Sequence, residues 1–516
     1  NMKAYEQLIY LVIFATIVYL FYMIFFKKYR YIVLIVGSLI LLFVASKLMG
    51  FFVILSSLIV YVFALIISNR TEKTNQKKDF LEKEEFKKLK QETKKVNKRY
   101  LSIGLILNLG LLIGLKYVNF FDSFLNNVFG FLQLELEIPY LNILLPIGIS
   151  YYTLSNTGYL IDVYRSKYQA SKNYLDVLLF TSYFPCLLEG PISHYDYVLP
   201  QLKEGHPFRF DNFKRGVLCI LVGLFKKIVI ADRLSILVVA CFDKELTGPI
   251  LILGIIGFTF QLYAEFSGII DMVRGISKMY GIEIEKNFEQ PFFSSSVGEF
   301  WRRWHISLGT WFKEYVFYPL SMSKFLNFLC KKLKGKVSKF WETFIPSCIV
   351  LFVVWSLTGL WHGASWKYLG YGLYYYFIMM LETVFSFLFK KKKTSHVFIR
   401  FLKIIKTFIL VNIGMLIFRC NRLTDVGMYI MRIFQPNSQS FNEVFAIHEL
   451  IISILALTIL LIFEYLQTKK IVIQDYLFKM PIFARYSAYL ILIFSIIIFG
   501  AYGLGYLPPD PIYGGF

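Results

Sequence analysis

Apolar residues along this chain come in blocks of about twenty, separated by short charged runs. A helix needs about 20 apolar residues to cross the hydrocarbon core of a bilayer. The blocks therefore predict spans near 7–26, 31–47, 50–68, 101–118, 139–160, 213–241, 248–270, 344–361, 366–389, 398–419, 446–466 and 486–505. Shorter apolar pieces near 174–190 and 300–320 predict re-entrant or interfacial segments. The expected fold is all-α: a polytopic membrane protein with roughly 11–13 transmembrane helices. The first block, Leu8 to Phe26, lacks a small-residue cleavage site and runs into Lys27-Lys28-Tyr29-Arg30. It reads as a retained span and not as a signal peptide.

Composition agrees with that pattern. Of the residues, 57% are hydrophobic and only 17% are charged, against about 25% charged in a soluble domain. The net charge of +22 sits in short blocks between apolar runs. Anionic lipid headgroups and the positive-inside rule account for such blocks, so the bilayer is the expected partner and nucleic acid is not. Residues 70–99 hold twelve Lys or Arg and six Asp or Glu, which makes this loop cytoplasmic and solvated. Residues 117–164 hold no Lys or Arg, so Asn119 to Tyr140 should face outward. Lys390 to Lys393 and Lys469-Lys470 mark later cytoplasmic ends, and the tail after Gly505 should be extracellular. Six cysteines stand singly, without CxxC spacing, and signal neither a zinc site nor a redox dithiol.

The chemistry lies in polar residues set among apolar ones, where they are costly and usually face a protein interior or a water-filled path. Leu145-Pro-Ile-Gly-Ile-Ser150 interrupts a helix at Pro146 and Gly148, and Asp162 and Arg165 follow at pairing distance. Phe184-Pro-Cys-Leu-Leu-Glu189-Gly-Pro-Ile192 breaks a run too short to span, as a cavity-lining segment would. Glu265 and Asp271 sit in an apolar run, where Asp271 has Arg274 on its own helix face. Glu299-Phe-Trp-Arg302-Arg303-Trp-His305 combines cations with aromatics, which suits either an interfacial helix or a cationic rim for phosphates. Thr358-Gly-Leu-Trp361-His362-Gly closes an apolar run that begins beyond six lysines between 324 and 339. His362 thus falls nearer the outer face, either as a structural residue or as a general base. No ligand-like spacing indicates a metal.

Taken in order, these segments resemble the membrane-bound O-acyltransferase family over residues 140–375. Asn287-Phe-Glu-Gln-Pro-Phe-Phe293, the Glu299–Leu308 block and Trp361-His-Gly363 carry the resemblance. It implies helices around a central tunnel, with membrane helices and the basic loop 68–100 in residues 1–140. A catalytic core would occupy residues 141–390, with further helices and an outward tail in 391–516. It also implies that His362 is catalytic and His305 a second functional histidine. Arg302, Arg303, Trp361, Glu265, Asp271, Glu189 and Ser150 would line the substrate path, with Glu189 departing from the family pattern. The branch most similar exports acyl groups to cell-surface polysaccharides, among them alginate and peptidoglycan O-acetylation subunits. The helices after about residue 400 favour O-acetyl export over D-alanyl transfer to teichoic acid. The implied donor is a thioester, acetyl-CoA, with no tightly bound cofactor. The implied partner is an extracellular esterase-like acyltransferase. The ending Pro511-Ile-Tyr-Gly-Gly-Phe516 resembles a motif whose tyrosine carries the acyl group, which makes Tyr513 a candidate relay. A transporter, or a scaffold for a polysaccharide exporter, is the alternative class.

Overall fold

The computed structural model describes residues 4–502, other than 142, 144, 188, 245, 390–396 and 440–444, with side chains from Tyr10 onward. Among the described residues the chain is helical and contains no strand, and an isolated antiparallel bridge joins Phe288 to Trp304. Among the described residues, eight helices are long and apolar enough to cross a membrane: Lys27–Gln76, Lys83–Lys116, Ile250–Met279, Lys339–His362, Trp366–Leu388, Val397–Arg419, Ile447–Thr468 and Ile482–Phe499. The chain is a multi-pass membrane protein. The first of these stretches is 50 residues long and holds two of the expected spans. Its parts, Arg30–Ser46 and Phe51–Gln76, meet at the tight turn Lys47–Gly50, where Lys47 takes a positive φ of 49°.

Three expected spans are not among these eight. The run at 7–26 appears as a shorter apolar helix, Tyr10–Ile24, and the other two differ for identifiable reasons. The run at 139–160 becomes helical only at Ile149, because Pro146 and the left-handed Gly148 (φ 72°) delay the start and leave 16 helical residues. The run at 213–241 is interrupted by a π-helical turn, Phe225–Ala231, which carries Lys226 and Lys227. The basic stretch 70–99 is not a separate surface helix. The ends of Phe51–Gln76 and Lys83–Lys116 extend into it, so the membrane helices continue into the charged region.

The structure divides into two compact units. One comprises Ile13–Phe213 and Ser277–Glu285. Its core joins Val60, Ala64 and Ile67 to Tyr159, Leu160 and Val163, with Val177 and Tyr195 packed beside them. A chain of hydrogen bonds crosses that core: Thr181 Oγ1 donates to Asn156 Oδ1 (2.7 Å), Asn156 Nδ2 to Ser56 Oγ (2.8 Å), and Ser56 Oγ to Asn108 Oδ1 (2.6 Å). In a membrane such interhelical bonds average about 0.6 kcal/mol each. Gly104 allows the close approach of its helix, since a Cβ there would stand 2.8 Å from Leu160 Cδ2. Tyr174–Ser182 is a nine-residue buried helix, too short to span the bilayer, as the 174–190 pattern predicts.

The other unit takes in Lys214–Ile276 and the chain from Lys286 onward, together with the residues up to Val12. The helices Lys339–His362 and Trp366–Leu388 form a tight pair. A Cβ on Gly372 would come within 3.2 Å of Gly359 Cα, so a small residue is required there. Helix Ile447–Thr468 is fixed by two buried carboxylates: Glu449 pairs with Arg233, and Glu464 accepts from Tyr263 Oη. Arg233 Nε also donates to the Phe499 carbonyl at 2.7 Å.

Candidate active site

Both candidate histidines lie in the unit containing the Lys339–His362 helix, at chain breaks between short or kinked helices. His362 is the last residue of Lys339–His362 and is 2% exposed. His305 immediately precedes the short helix Ile306–Phe312, is also 2% exposed, and takes the left-handed conformation at φ 47°, ψ 52°. A non-glycine residue in that region signals a conformation imposed by its surroundings. Trp361 lies against both rings: its centroid is 5.5 Å from His305 and 5.0 Å from His362, edge-on in each case. Phe266 closes on His305 at 4.8 Å, while Tyr371 and Phe418 close on His362 at 5.6 and 5.5 Å. The result is a water-poor aromatic enclosure with two imidazoles on a shared indole.

His305 belongs to no membrane-spanning helix. Burial lowers its pKa from the usual 6.5 to about 3, so the ring stays neutral across the physiological range. Neither of its ring nitrogens meets a hydrogen-bond partner among the described residues. Buried polar atoms are nearly always bonded, so two open ring nitrogens here call for a partner that the described residues do not supply.

The cationic block beside His305 divides its labour. Arg303 pairs with Glu299 at 2.6 Å on the same helix face, whereas Arg302 is exposed. Glu299 also accepts from Ser295 N (2.8 Å) and Ser295 Oγ (2.7 Å). These bonds and Arg303 hold its carboxyl below the ordinary range in spite of burial. Helix Val297–Arg303 starts at Ser296, whose hydroxyl accepts from Glu299 N.

Glu265 is engaged in a buried ion pair and Asp271 in a partly buried one. Glu265 meets Lys227 Nζ at 3.1 Å, and Lys227 also reaches Asp232 at 2.6 Å. Lys227 and Asp232 are five residues apart, a spacing that an α-helix does not bring together and an i→i+5 turn does. Asp271 pairs with Lys226 at 2.7 Å, on the preceding helix, and not with Arg274 as its own helix face suggests. The partners Lys226, Lys227 and Asp232 were not singled out in the sequence. Their signal was available: three charges inside an apolar run.

Ser150 and Glu189 lie in the other unit. Ser150 Oγ accepts from Lys116 Nζ at 3.0 Å, and Glu189 is 4% exposed. Nearby residues of the same unit line a small, partly open cavity of about 30 Å³, among them Tyr152, Phe180, Thr181, Cys186 and Ser193. Asp162, His194 and Asp196 in that unit bring three potential ligand atoms within 4.8 Å of one another. Lys167 bridges the two carboxylates at 3.4 and 3.0 Å, so ion pairing accounts for the cluster. Tyr513 and Lys390 to Lys393 lie outside the described residues.

A family model described as MBOAT, membrane-bound O-acyltransferase family, matches residues 149–424, which include both histidines. The chain belongs to the membrane-bound O-acyltransferase family. Within it, the chain is similar to the probable alginate O-acetylase AlgI of Pseudomonas syringae pv. tomato, with 34% identity over 349 residues, covering 67% of this chain and 62% of that one. The peptidoglycan O-acetyltransferase of Helicobacter pylori is 29% identical over 352 residues, covering 63% of this chain and 62% of that one. The teichoic acid D-alanyltransferase of Bacillus subtilis is 28% identical over 304 residues, covering 57% and 74%. The match thus spans about six-tenths of the alginate and peptidoglycan relatives. Helix Ile447–Thr468, with Glu449 and Glu464, falls beyond the family match.

Proposed function

We propose that this membrane-bound O-acyltransferase family member transfers an acetyl group from a cytoplasmic thioester, acetyl-CoA, to a hydroxyl bound for a cell-surface polysaccharide. One observation carries the reading: two buried histidines pack on the same indole in a chain of this family. In the reaction, the acceptor oxygen attacks the thioester carbonyl. A C–O bond forms and the C–S bond breaks. His362 takes the hydroxyl proton and returns it to the departing thiolate, so no external proton is needed. General-base help of this kind is worth about 10²–10⁴ in rate. His305, neutral through burial, has one ring N–H to offer the carbonyl oxygen as negative charge grows on it. The aromatic walls keep water from competing for the acyl group.

In this reading residues 141–390 form the catalytic core. Arg302, Arg303, Trp361, Glu265 and Asp271 shape the substrate path beside the histidines, several of them by fixing the helices that carry it. An esterase-like acyltransferase outside the membrane completes delivery to the polymer, and Tyr513 relays the acyl group to it. The test is to incubate purified protein in nanodiscs with acetyl-CoA and, separately, with a D-alanyl thioester. The reading predicts release of free CoA and an acetyl adduct on acceptor or protein. Turnover of the D-alanyl thioester alone would move the assignment to teichoic acid modification. No turnover of either would favour a transporter or scaffold.

A further inference from the structure

We infer that Asn287 is a positioning residue that holds His305 in its working conformation, an inference that rests on the role proposed for His305. The observation is the wiring around the left-handed turn. An N-cap residue ordinarily uses its own side chain to accept from the first free N–H groups of its helix. His305 occupies the N-cap of Ile306–Phe312, yet its imidazole makes no capping bond. Asn287 does that work from a separate segment. Its main-chain carbonyl accepts from Ile306 N at 3.0 Å, and its side-chain Oδ1 accepts from Ser307 N at 3.1 Å. The two segments are tied further by the Phe288–Trp304 bridge and by Glu289 N donating to the Arg303 carbonyl at 2.9 Å.

The consequence is a division of roles. Asn287 satisfies the two N–H groups that follow His305, so the imidazole is released from capping and both its nitrogens stay available. Phe266 and Trp361 then fix the ring. Asn287 is itself 1% exposed, so water cannot replace its Oδ1 when that atom is lost. Without it, residues 305–307 lose the acceptor that makes the left-handed turn affordable, and the imidazole shifts on Trp361. Misplacement of a reacting group by about 1 Å costs on the order of 100-fold in rate.

Two substitutions separate positioning from bulk structure. Asn287→Leu keeps the branched heavy-atom skeleton and removes the acceptor. Asn287→Asp keeps an acceptor for Ser307 N and removes the amide donor. Acetyl-CoA turnover by the purified full chain is the readout, with thermal midpoint and detergent-extracted yield measured beside it. Asn287→Leu should lower kcat about 100-fold while KM for acetyl-CoA stays within about twofold, since the bond lost orients and does not bind. Asn287→Asp should recover most of that loss. A kcat for Asn287→Leu equal to wild type, or an effect confined to KM, overturns the inference. So does an Asn287→Asp enzyme as slow as Asn287→Leu. If Asn287→Leu does not accumulate in the membrane, Asn287→Asp decides alone: retained turnover upholds the Oδ1 role and lost turnover overturns it. His305→Ala, run in parallel, distinguishes the two levels. If it turns over normally, the role proposed for His305 fails. If it is slow while Asn287→Leu is normal, only the inference about Asn287 fails.

Discussion

Lys227→Met should be among the most destabilising single changes outside the aromatic enclosure. The Lys227 side chain has no exposure, and its ammonium sits 2.6 Å from Asp232 and 3.1 Å from Glu265, whose side chains are 2% and 1% exposed. Methionine preserves the length and packing of the aliphatic stem but leaves two carboxylates buried without their cation. Removing one partner from a buried ion pair costs about 3–5 kcal/mol, because the remaining charge is uncompensated. At about 2.1 cal/mol/K of unfolding entropy per residue, a unit of about 300 residues shifts by roughly 1.6 °C per kcal/mol, so the thermal midpoint should fall by roughly 5–8 °C. The triple change Lys227→Met, Asp232→Asn, Glu265→Gln removes all three charges and should recover most of that loss, as neutral replacement of buried ion clusters commonly does. The assay is a thermal challenge in detergent, read as the surviving monodisperse fraction at one fixed heating rate, since such unfolding is irreversible. A Lys227→Met protein as stable as wild type, or a triple variant no better than the single one, would refute the reasoning.

His305→Asn removes a buried imidazole and keeps a residue that tolerates left-handed backbone. In the wild type the folded pKa of about 3 lies below the unfolded 6.5, so the unfolded state binds more protons between those values and stability falls as pH drops through that window. The variant should therefore lose less thermal midpoint than wild type between pH 7 and about pH 4.5; parallel slopes would contradict the burial argument. Breaking the Arg233–Glu449 pair with Glu449→Ala should loosen helix Ile447–Thr468 and cost about 3–5 kcal/mol. Limited proteolysis near Lys469 should accelerate in that variant, and unchanged cleavage would argue that the helix is held otherwise. A cysteine at Lys88 should resist an impermeant thiol reagent in intact cells, because residues 70–99 carry the largest basic excess. Ready labelling there would invert the topology.

The spans were legible because apolar runs of helical length leave few alternatives, and the break before Ile149 was written in Pro146 and Gly148. The two histidines were legible one at a time, as polar residues beside apolar runs. Their sharing of Trp361 was not, since it depends on how the left-handed turn at His305 aims its ring. Helix periodicity offered Arg274 as a neighbour for Asp271 because it reports only residues on the same helix, while Lys226 comes from another. The same limit hid Glu449 and Glu464, whose partners lie more than two hundred residues earlier in the chain. The pairing of Lys227 with Asp232 needed a π-helical turn, and no periodicity rule based on 3.6 residues per turn anticipates it. Asn287 was visible within a motif, but its use as a cap for another segment's helix appears only in three dimensions.

The most direct test of the central claim uses the purified chain in liposomes, with acetyl-labelled acetyl-CoA enclosed and a short oligosaccharide acceptor outside, together with its extracellular partner. The account predicts acetylated acceptor outside and free CoA inside with the wild type. It predicts a loss of about 10²–10⁴ in rate for a normally inserted His362→Ala protein, and a smaller loss for His305→Ala. Wild-type acetylation by His362→Ala, with the protein shown to be folded and inserted, would contradict it.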